Sequence, residues 1–411
     1  MKINRLGCLL LIIFILCAST MVWGDNNTPL KVYTLDARCL ETAKKMVEAN
    51  DPGLKPAYDK LLKDAEDSLK IEPPTVVQKA LTPPSGDKHD YMSIAPYWWP
   101  DPSKKDGLPY IQKDGQTNPD SKNDATDAVR KSLFINATDT LSLAYYFSGD
   151  KKYAEKAATL IRTWFLDPKT RMNPNLNYGQ AVPGVVNGRG IGIIDFALIY
   201  KTIDDFGLLE NANVLSANEK TRLVKWFKDY SHWLQTSQNG WEERMWHNNH
   251  GTWYDAQVIG IALYTGDLKT ANLTLQEAAH RRLASQIALD GKQYAELERT
   301  RPFHYCFYNL QAMTLLARYG ETVNFDLWNF VQDGRTLRKA IDYLAGYLDK
   351  PDDWPYKDMD NMKADLKDAI PVLLMAERAY GDGKYASLLK LMPENTRNIR
   401  DYLLWPVLES K

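Results

Sequence analysis

The sequence predicts an all-α protein, most simply a closed (α/α)n toroid of antiparallel helix hairpins with n of about six or seven. Three observations carry this. Apolar residues recur at helical spacing through most of the 411 residues. Short breakers (Ser148-Gly149-Asp150, Tyr264-Thr265-Gly266-Asp267 and Tyr380-Gly381-Asp382-Gly383) punctuate them at hairpin-like intervals. Long alternating strand patterns are absent. Many antiparallel helix pairs in one chain fit a bundle, a solenoid or a toroid, and the lack of a strict repeat favours the toroid.

Taken in order, residues 1–24 read as a signal peptide. Lys2 and Arg5 give a positive start, Leu9 to Leu16 is an apolar run, and Val22 and Gly24 suit a cleavage site before Asp25. The run is too short to span a bilayer, and neither Cys8 nor Cys17 has the lead-in of a lipid-modified cysteine. An exported protein without a membrane anchor is expected, periplasmic or extracellular, with 25–411 forming one domain and a monomer. Helical spacing then appears at Leu40, Ala43, Met46 and Val47, and again over 54–70. It resumes at 126–148, 152–165 and 190–203, and at Leu223, Phe227, Tyr230 and Leu234. Tyr254, Val258, Ile261 and Ala262 continue it to the Gly266-Asp267 stop, followed by 268–289, 308–319, 336–348, 360–379 and 384–391.

The exception is 73–125, dense in Pro and Gly yet carrying Tyr91, Tyr97, Trp98, Trp99 and Tyr110. A disordered linker would be poor in aromatics. An ordered arm packed over the domain is expected, some of its rings facing a sugar, because pyranose faces are apolar enough to stack on aromatics.

Composition narrows the function. The formal charge is −1, without the basic excess of a nucleic-acid binder; a polyanionic substrate would need positive charge gathered in a cleft. Only Cys39 and Cys306 survive processing, enough for one bridge at most, and their pairing stays open.

Three polar clusters stand at helix entries: Asn187-Gly188-Arg189-Gly190, Trp246 through Tyr254, and Glu298 through Tyr305. Helix N-termini favour anions, and all three clusters can converge at one end of a toroid. A uronic-acid polymer would use such a set. Breaking its C4–O bond by β-elimination requires removal of the C5 proton, α to a carboxylate. That carboxylate must be neutralised by amide, imidazole or guanidinium donors, with a base near C5 and an acid near the glycosidic oxygen. A tyrosine phenol, with a free pKa of about 10, suits the acid, and a neighbouring arginine would lower that value. Asn249, His250, Arg299 and Tyr305 supply these groups.

Those residues carry a resemblance. The Asn248-Asn249-His250-Gly251-Thr252-Trp253 stretch resembles the Asn-Asn-His signature of the alginate lyase superfamily of helical polysaccharide lyases, and Arg299 to Tyr305 with Asn309-Leu310 resembles its Arg/Tyr signature. The segment Ser85-Gly86-Asp87-Lys88-His89-Asp90-Tyr91 through Pro96-Tyr97-Trp98-Trp99-Pro100-Asp101-Pro102 is also similar to the wider group. The resemblance runs from about residue 75 to 380. It implies a lyase acting on a uronate polymer, most simply polymannuronate. His250 would be neutraliser or base and Tyr305 the acid, or acid and base together, with Asn249 and Arg299 holding the carboxylate or tuning the tyrosine. Asn187, Arg189, Asn248, Arg301, Trp98, Trp99, His304 and Trp253 are candidates for binding the sugar chain. The six-residue step from Arg299 to Tyr305 is one shorter than in the best-known alginate lyases. It points to a sister family such as polysaccharide lyase family 38, related to the family 5 alginate lyases, with glucuronan as rival substrate.

Plainer readings stand beside these. His250 could merely cap a helix, Tyr305 could be a core tyrosine like Tyr294 or Tyr308, and Arg301 and Arg244 could be ion-pair partners. His247, His250 and His304 evoke a metal site, but no nearby Cys or Glu completes the set, so no metal and no cofactor are expected. A toroidal glycoside hydrolase would instead use two carboxylates, drawn from Asp120, Glu242, Glu243 and Asp255. A non-catalytic glycan-binding protein is the third reading.

Overall fold

The computed structural model describes residues 30–359 and 362–407; the expected signal peptide lies outside them. Helices dominate. In the first half they are α1 (Ala37–Glu48), α2 (Lys55–Leu69), α3 (Ala128–Ser148), α4 (Lys151–Ile161), α5 (Ile199–Leu208), α6 (Ala217–Thr236) and α7 (Gln238–Arg244). The second half holds α8 (Asn249–Thr265), α9 (Leu268–Gln286), α10 (Tyr294–Leu297), α11 (Pro302–Thr322), α12 (Leu337–Ala345), α13 (Met362–Asp365), α14 (Ala369–Tyr380), α15 (Lys384–Leu389) and α16 (Asp401–Leu404).

Local chemistry explains most of the boundaries. Asp36 caps α1 by accepting from the Arg38 and Cys39 amides, and Ser216 with Glu219 forms a capping box on α6. Gly149, Gly266 and Gly381 adopt left-handed conformations that stop α3, α8 and α14, so the breakers read from sequence are C-caps. Several boundaries differ from expectation: the 152–165 stretch ends α4 at Ile161 and continues as a π-helix over Arg162–Leu166, and the 360–379 stretch divides into α13, a 3-10 turn over Leu366–Asp368 and α14. The 190–203 stretch divides into a 3-10 helix over Gly190–Phe196 and then α5. α11 begins at Pro302, earlier than the expected 308, because Pro at the first helical position is favourable rather than disruptive.

α8 and α11 are buried on nearly every face, and each fully buried Leu or Phe contributes ~1.5–3 kcal/mol. Gly260 permits their close approach, since a Cβ there would lie 2.5 Å from the Tyr319 hydroxyl. α3 packs on α5, α5 on α8, α8 on α11 and α11 on α14; α16 links α14 to α1 and α2, and α2 returns to α3. That circuit closes the predicted all-α toroid.

The aromatic arm is ordered and carries three of the four short strands found among the described residues. β1 (Met92–Ile94) pairs in parallel with β4 (Tyr178–Ala181), and β2 (Trp98–Trp99) pairs antiparallel with β3 (Ile111–Gln112). Its root is fixed by an ion pair of 2.9 Å between Lys79 and Asp127, both side chains fully buried. Cys39 and Cys306 are free thiols. Among the described residues no helix is long and apolar enough to cross a membrane.

Candidate active site

The three predicted clusters meet. A cleft of about 640 Å³ is lined by Arg189 before the 3-10 helix, Trp246 to His250 at the entry of α8, and Arg299, His304, Tyr305 and Tyr308 around the entry of α11. The arm covers it with Tyr97, Trp98, Gln112 and Asp114.

At the α8 entry each polar residue has a distinct job. Asn248 is the N-cap, its side chain accepting from the His250 amide at 3.2 Å. His250 Nδ1 lies 2.9 Å from Oε1 of Glu243, whose side chain is fully buried. Burial pushes the Glu243 carboxyl up, while His250, Arg282 and Arg189 draw it back. With Nδ1 facing that carboxylate, Nε2 is the ring nitrogen turned away from it. Asn249 is fastened to the buried Glu296, its backbone N–H donating at 2.6 Å and Nδ2 lying 3.0 and 2.8 Å from the two oxygens. Two oxygens of one carboxylate subtend a far smaller angle at Nδ2 than its two N–H bonds spread. One N–H therefore serves Glu296 and the other is left over for a ligand.

At the α11 entry, Arg299 is forked onto Asp114 of the arm, with Nη2 at 2.9 Å and Nε at 3.3 Å, and Thr300 donates to the same carboxylate. The guanidinium carbon sits 3.8 Å above the centre of the Tyr305 ring, a cation–π contact rather than one with the phenol oxygen. Its charge lowers the Tyr305 pKa as expected, but burial acts more strongly, and the phenol lies well above its ordinary range. The hydroxyls of Tyr305 and Tyr97 share a hydrogen bond of 2.6 Å. Sequence reasoning had no signal for Tyr97, Asp114, Glu243 or Glu296 as partners of these residues.

Other candidates divide. Trp98, Arg189, Asn248 and His304 line the cleft. Four do not. Trp99 lies on the other face of β2 and donates its indole N–H to the Gln116 carbonyl, because alternate strand residues face opposite sides. Trp253 is core, packed on Tyr200 and Tyr308 with 1% exposure. Asn187 is exposed on the turn outside. Arg301 pairs with Asp365 at 2.7 Å, as Arg244 does with Glu277. Of the decoys, Tyr308 lines the cleft and Tyr294 is exposed. None of Asp120, Glu242, Glu243 and Asp255, the carboxylates open to a hydrolase, lines it; Asp255 is consumed by Arg281 and Arg282.

His304, Asp365 and Asp368 bring ligand-type atoms within 4.8 Å of one another. Arg301 pairs with Asp365 and His304 Nδ1 lies 2.6 Å from Asp368, so two of these three residues already contact each other and the third contacts Arg301.

The closed helical circuit thus brings amide, imidazole, guanidinium and phenol groups into one aromatic-roofed cleft. The alginate lyase family model matches residues 75–354. A sequence search of curated proteins gives no significant match. Among solved structures, an alginate lyase from Bacteroides ovatus is similar at 40% identity and TM-score 0.88, over 92% of this chain and 100% of that one. Alginate lyase A1-III from Sphingomonas species A1 is similar at 17% identity and TM-score 0.56, over 93% and 98%. A histidine-to-alanine variant of alginate lyase A1-III complexed with tetrasaccharide reaches TM-score 0.62 at 17% identity, over the same shares; at that identity both A1-III structures speak for the fold. This chain belongs to the alginate lyase family and is a polysaccharide lyase.

Proposed function

We propose that the enzyme cleaves alginate, polymannuronate foremost, by β-elimination with His250 as base and Tyr305 as acid. The observation that carries this is their placement in one cleft: an imidazole whose Nδ1 lies 2.9 Å from buried Glu243, and a phenol that burial keeps protonated. His250 Nε2 takes the C5 proton, the electron pair forms the C4–C5 double bond, the C4–O bond breaks, and Tyr305 protonates the leaving oxygen. The remaining N–H of Asn249 and the Arg299 charge offset the negative charge that builds on the carboxylate. Trp98, Asn248 and His304 border the sugar chain. The name of the Bacteroides ovatus relative supports alginate as the substrate. Export with cleavage before Asp25 follows from residues 1–24, and N-terminal sequencing of the protein from its host checks it; an intact Met1 rejects it.

The test is ultraviolet absorbance of the new double bond on polymannuronate, polyguluronate and glucuronan, with and without chelator. A rise on polymannuronate, indifferent to chelator, is expected. A rise on glucuronan alone replaces the substrate, and binding without a rise on any polymer removes the elimination mechanism.

A further inference from the structure

We propose that Arg189, presented by Gln180 and Trp98, is a carboxylate-binding subsite for the uronate next to the one being cleaved; this rests on the polyuronate reading above. Of the two guanidinium groups lining the cleft, Arg299 is paired through Nε and Nη2 with the Asp114 carboxylate. Arg189 meets only neutral acceptors, Nε donating to the Gln180 carbonyl at 3.1 Å and Nη2 to Gln180 Oε1 at 3.2 Å. Asp195 and Glu243 are felt electrostatically, while burial works against the charge. Both acids are engaged elsewhere: Asp195 accepts from Tyr91, Ser93 and Gln180, and Glu243 serves His250. A partly desolvated guanidinium that no carboxylate touches directly is less favourable than one that an anion contacts.

The surroundings are built to hold that cation still. Gln180 has φ +48°, a left-handed conformation that is uncommon for a residue with a side chain and that concentrates at ligand sites. Its N–H donates to Ser93 Oγ at 2.7 Å and its Nε2 to Asp195 at 3.1 Å, which turns Oε1 towards Arg189. Beside Arg189, Gly188 lies so close to the chain that a Cβ there would sit 2.0 Å from the Asn177 carbonyl oxygen. The Trp98 ring centre is 5.8 Å from the guanidinium. With Nε and Nη2 anchored, Nη1 remains for a ligand, and a guanidinium matches the planar geometry of a carboxylate. The reacting carboxylate falls to Asn249 and Arg299 on α8 and beside α11. Arg189, from a third helix entry, serves a neighbouring sugar.

The experiment measures binding of a mannuronate tetramer and its methyl ester by calorimetry, in a Tyr305→Phe parent that does not consume the ligand. Adding Arg189→Ala is expected to weaken the acid form at least about tenfold and the ester far less, a coupling between protein and ligand changes that a general loss of structure does not produce. Arg189→Lys, which keeps the charge but loses the fork, is expected to fall between and decides the matter if the alanine variant does not fold. Equal losses for acid and ester, or no loss for either, overturn the subsite. If the parent binds neither form and the wild type yields no double bond, the polyuronate reading fails first and the subsite with it.

Discussion

Burial and charge pull the Tyr305 phenol in opposite directions, and burial prevails. The side chain is 7% exposed, and the Arg299 cation lies over its ring instead of beside its oxygen. The phenol is therefore loaded with its proton across the neutral range, the state an acid needs before bond cleavage. Tyr305→Phe should lower kcat by about 10²–10⁴-fold while oligosaccharide affinity stays within about tenfold; near-normal turnover would take Tyr305 out of the mechanism. A pH profile adds a second check. The alkaline limb should fall later than about pH 10, where an ordinary phenol ionises, and a limb at that value would mean that Arg299 fully offsets burial once substrate binds. That Asn249, His250, Arg299 and Tyr305 share one cleft was legible because each belongs to a short run with other polar residues at a helix entry. Their partners were not: Tyr97 and Tyr305 are 208 positions apart and Asp114 and Arg299 185. Sequence spacing reports neighbours along one element and is silent about atoms that only tertiary packing brings together. Trp253 failed for a related reason. It follows His250 by one turn, but α8 is buried on nearly all sides, so motif membership did not imply access to the cleft.

At the scale of elements, the arm over 73–125 is a roof anchored at a buried ion pair. Lys79 and Asp127 are fully buried and 2.9 Å apart, and Lys79 also donates to the Val76 and Lys88 carbonyls. Removing one charge leaves the other stranded, so Lys79→Met should destabilise the fold by about 3–5 kcal/mol, read as a lower denaturant midpoint. Lys79→Met with Asp127→Leu should recover much of that loss, and no recovery would mean that the hydrogen bonds from Lys79 to the two carbonyls, rather than the pair, fix the root. The roof also acts at a distance, since its Asp114 holds Arg299 and its Tyr97 meets Tyr305. Asp114→Asn should leave the melting temperature nearly unchanged and lower kcat/KM by about tenfold, the effect of removing one charge-assisted hydrogen bond; unchanged kinetics would make the Asp114–Arg299 pair structural only. Pro, Gly and aromatics gave away the arm's order and its place over the cleft. Its strands were invisible, because pairs as short as Trp98–Trp99 with Ile111–Gln112 are too brief for alternation to register.

For the whole molecule, the decisive feature is where the helical circuit is pinned shut. Arg378 on α14 donates to Asp36 at the head of α1 and to both oxygens of Glu321 on α11. Arg318 on α11 donates to the Thr34 and Leu35 carbonyls. Residues 342 apart in sequence thus meet, which the periodicity of individual helices, though it gave the toroid, could not show. Asp36 and Glu321 are both held below their ordinary values of 3.8 and 4.5 by these arginines, against the opposing effect of burial. A carboxyl depressed in the folded state releases its proton more readily there than in the unfolded chain. Its contribution to stability is complete above the ordinary value and is lost as pH falls through the folded one. Arg378→Met should accordingly lower the melting temperature at pH 7, by an amount corresponding to about 3 kcal/mol for a partly buried partner removed. The gap from wild type should narrow below about pH 4, as the carboxyls that Arg378 stabilises take up protons. Melting curves across that range check it, and a gap that stays constant would show that Arg378 contributes by packing and not by charge. Because the same circuit sets α8 beside α11, and with them His250 and Tyr305, loosening the closure should also lower kcat before the fold is lost, a coupling between the far seam and the cleft that activity measured just below the melting transition reads directly.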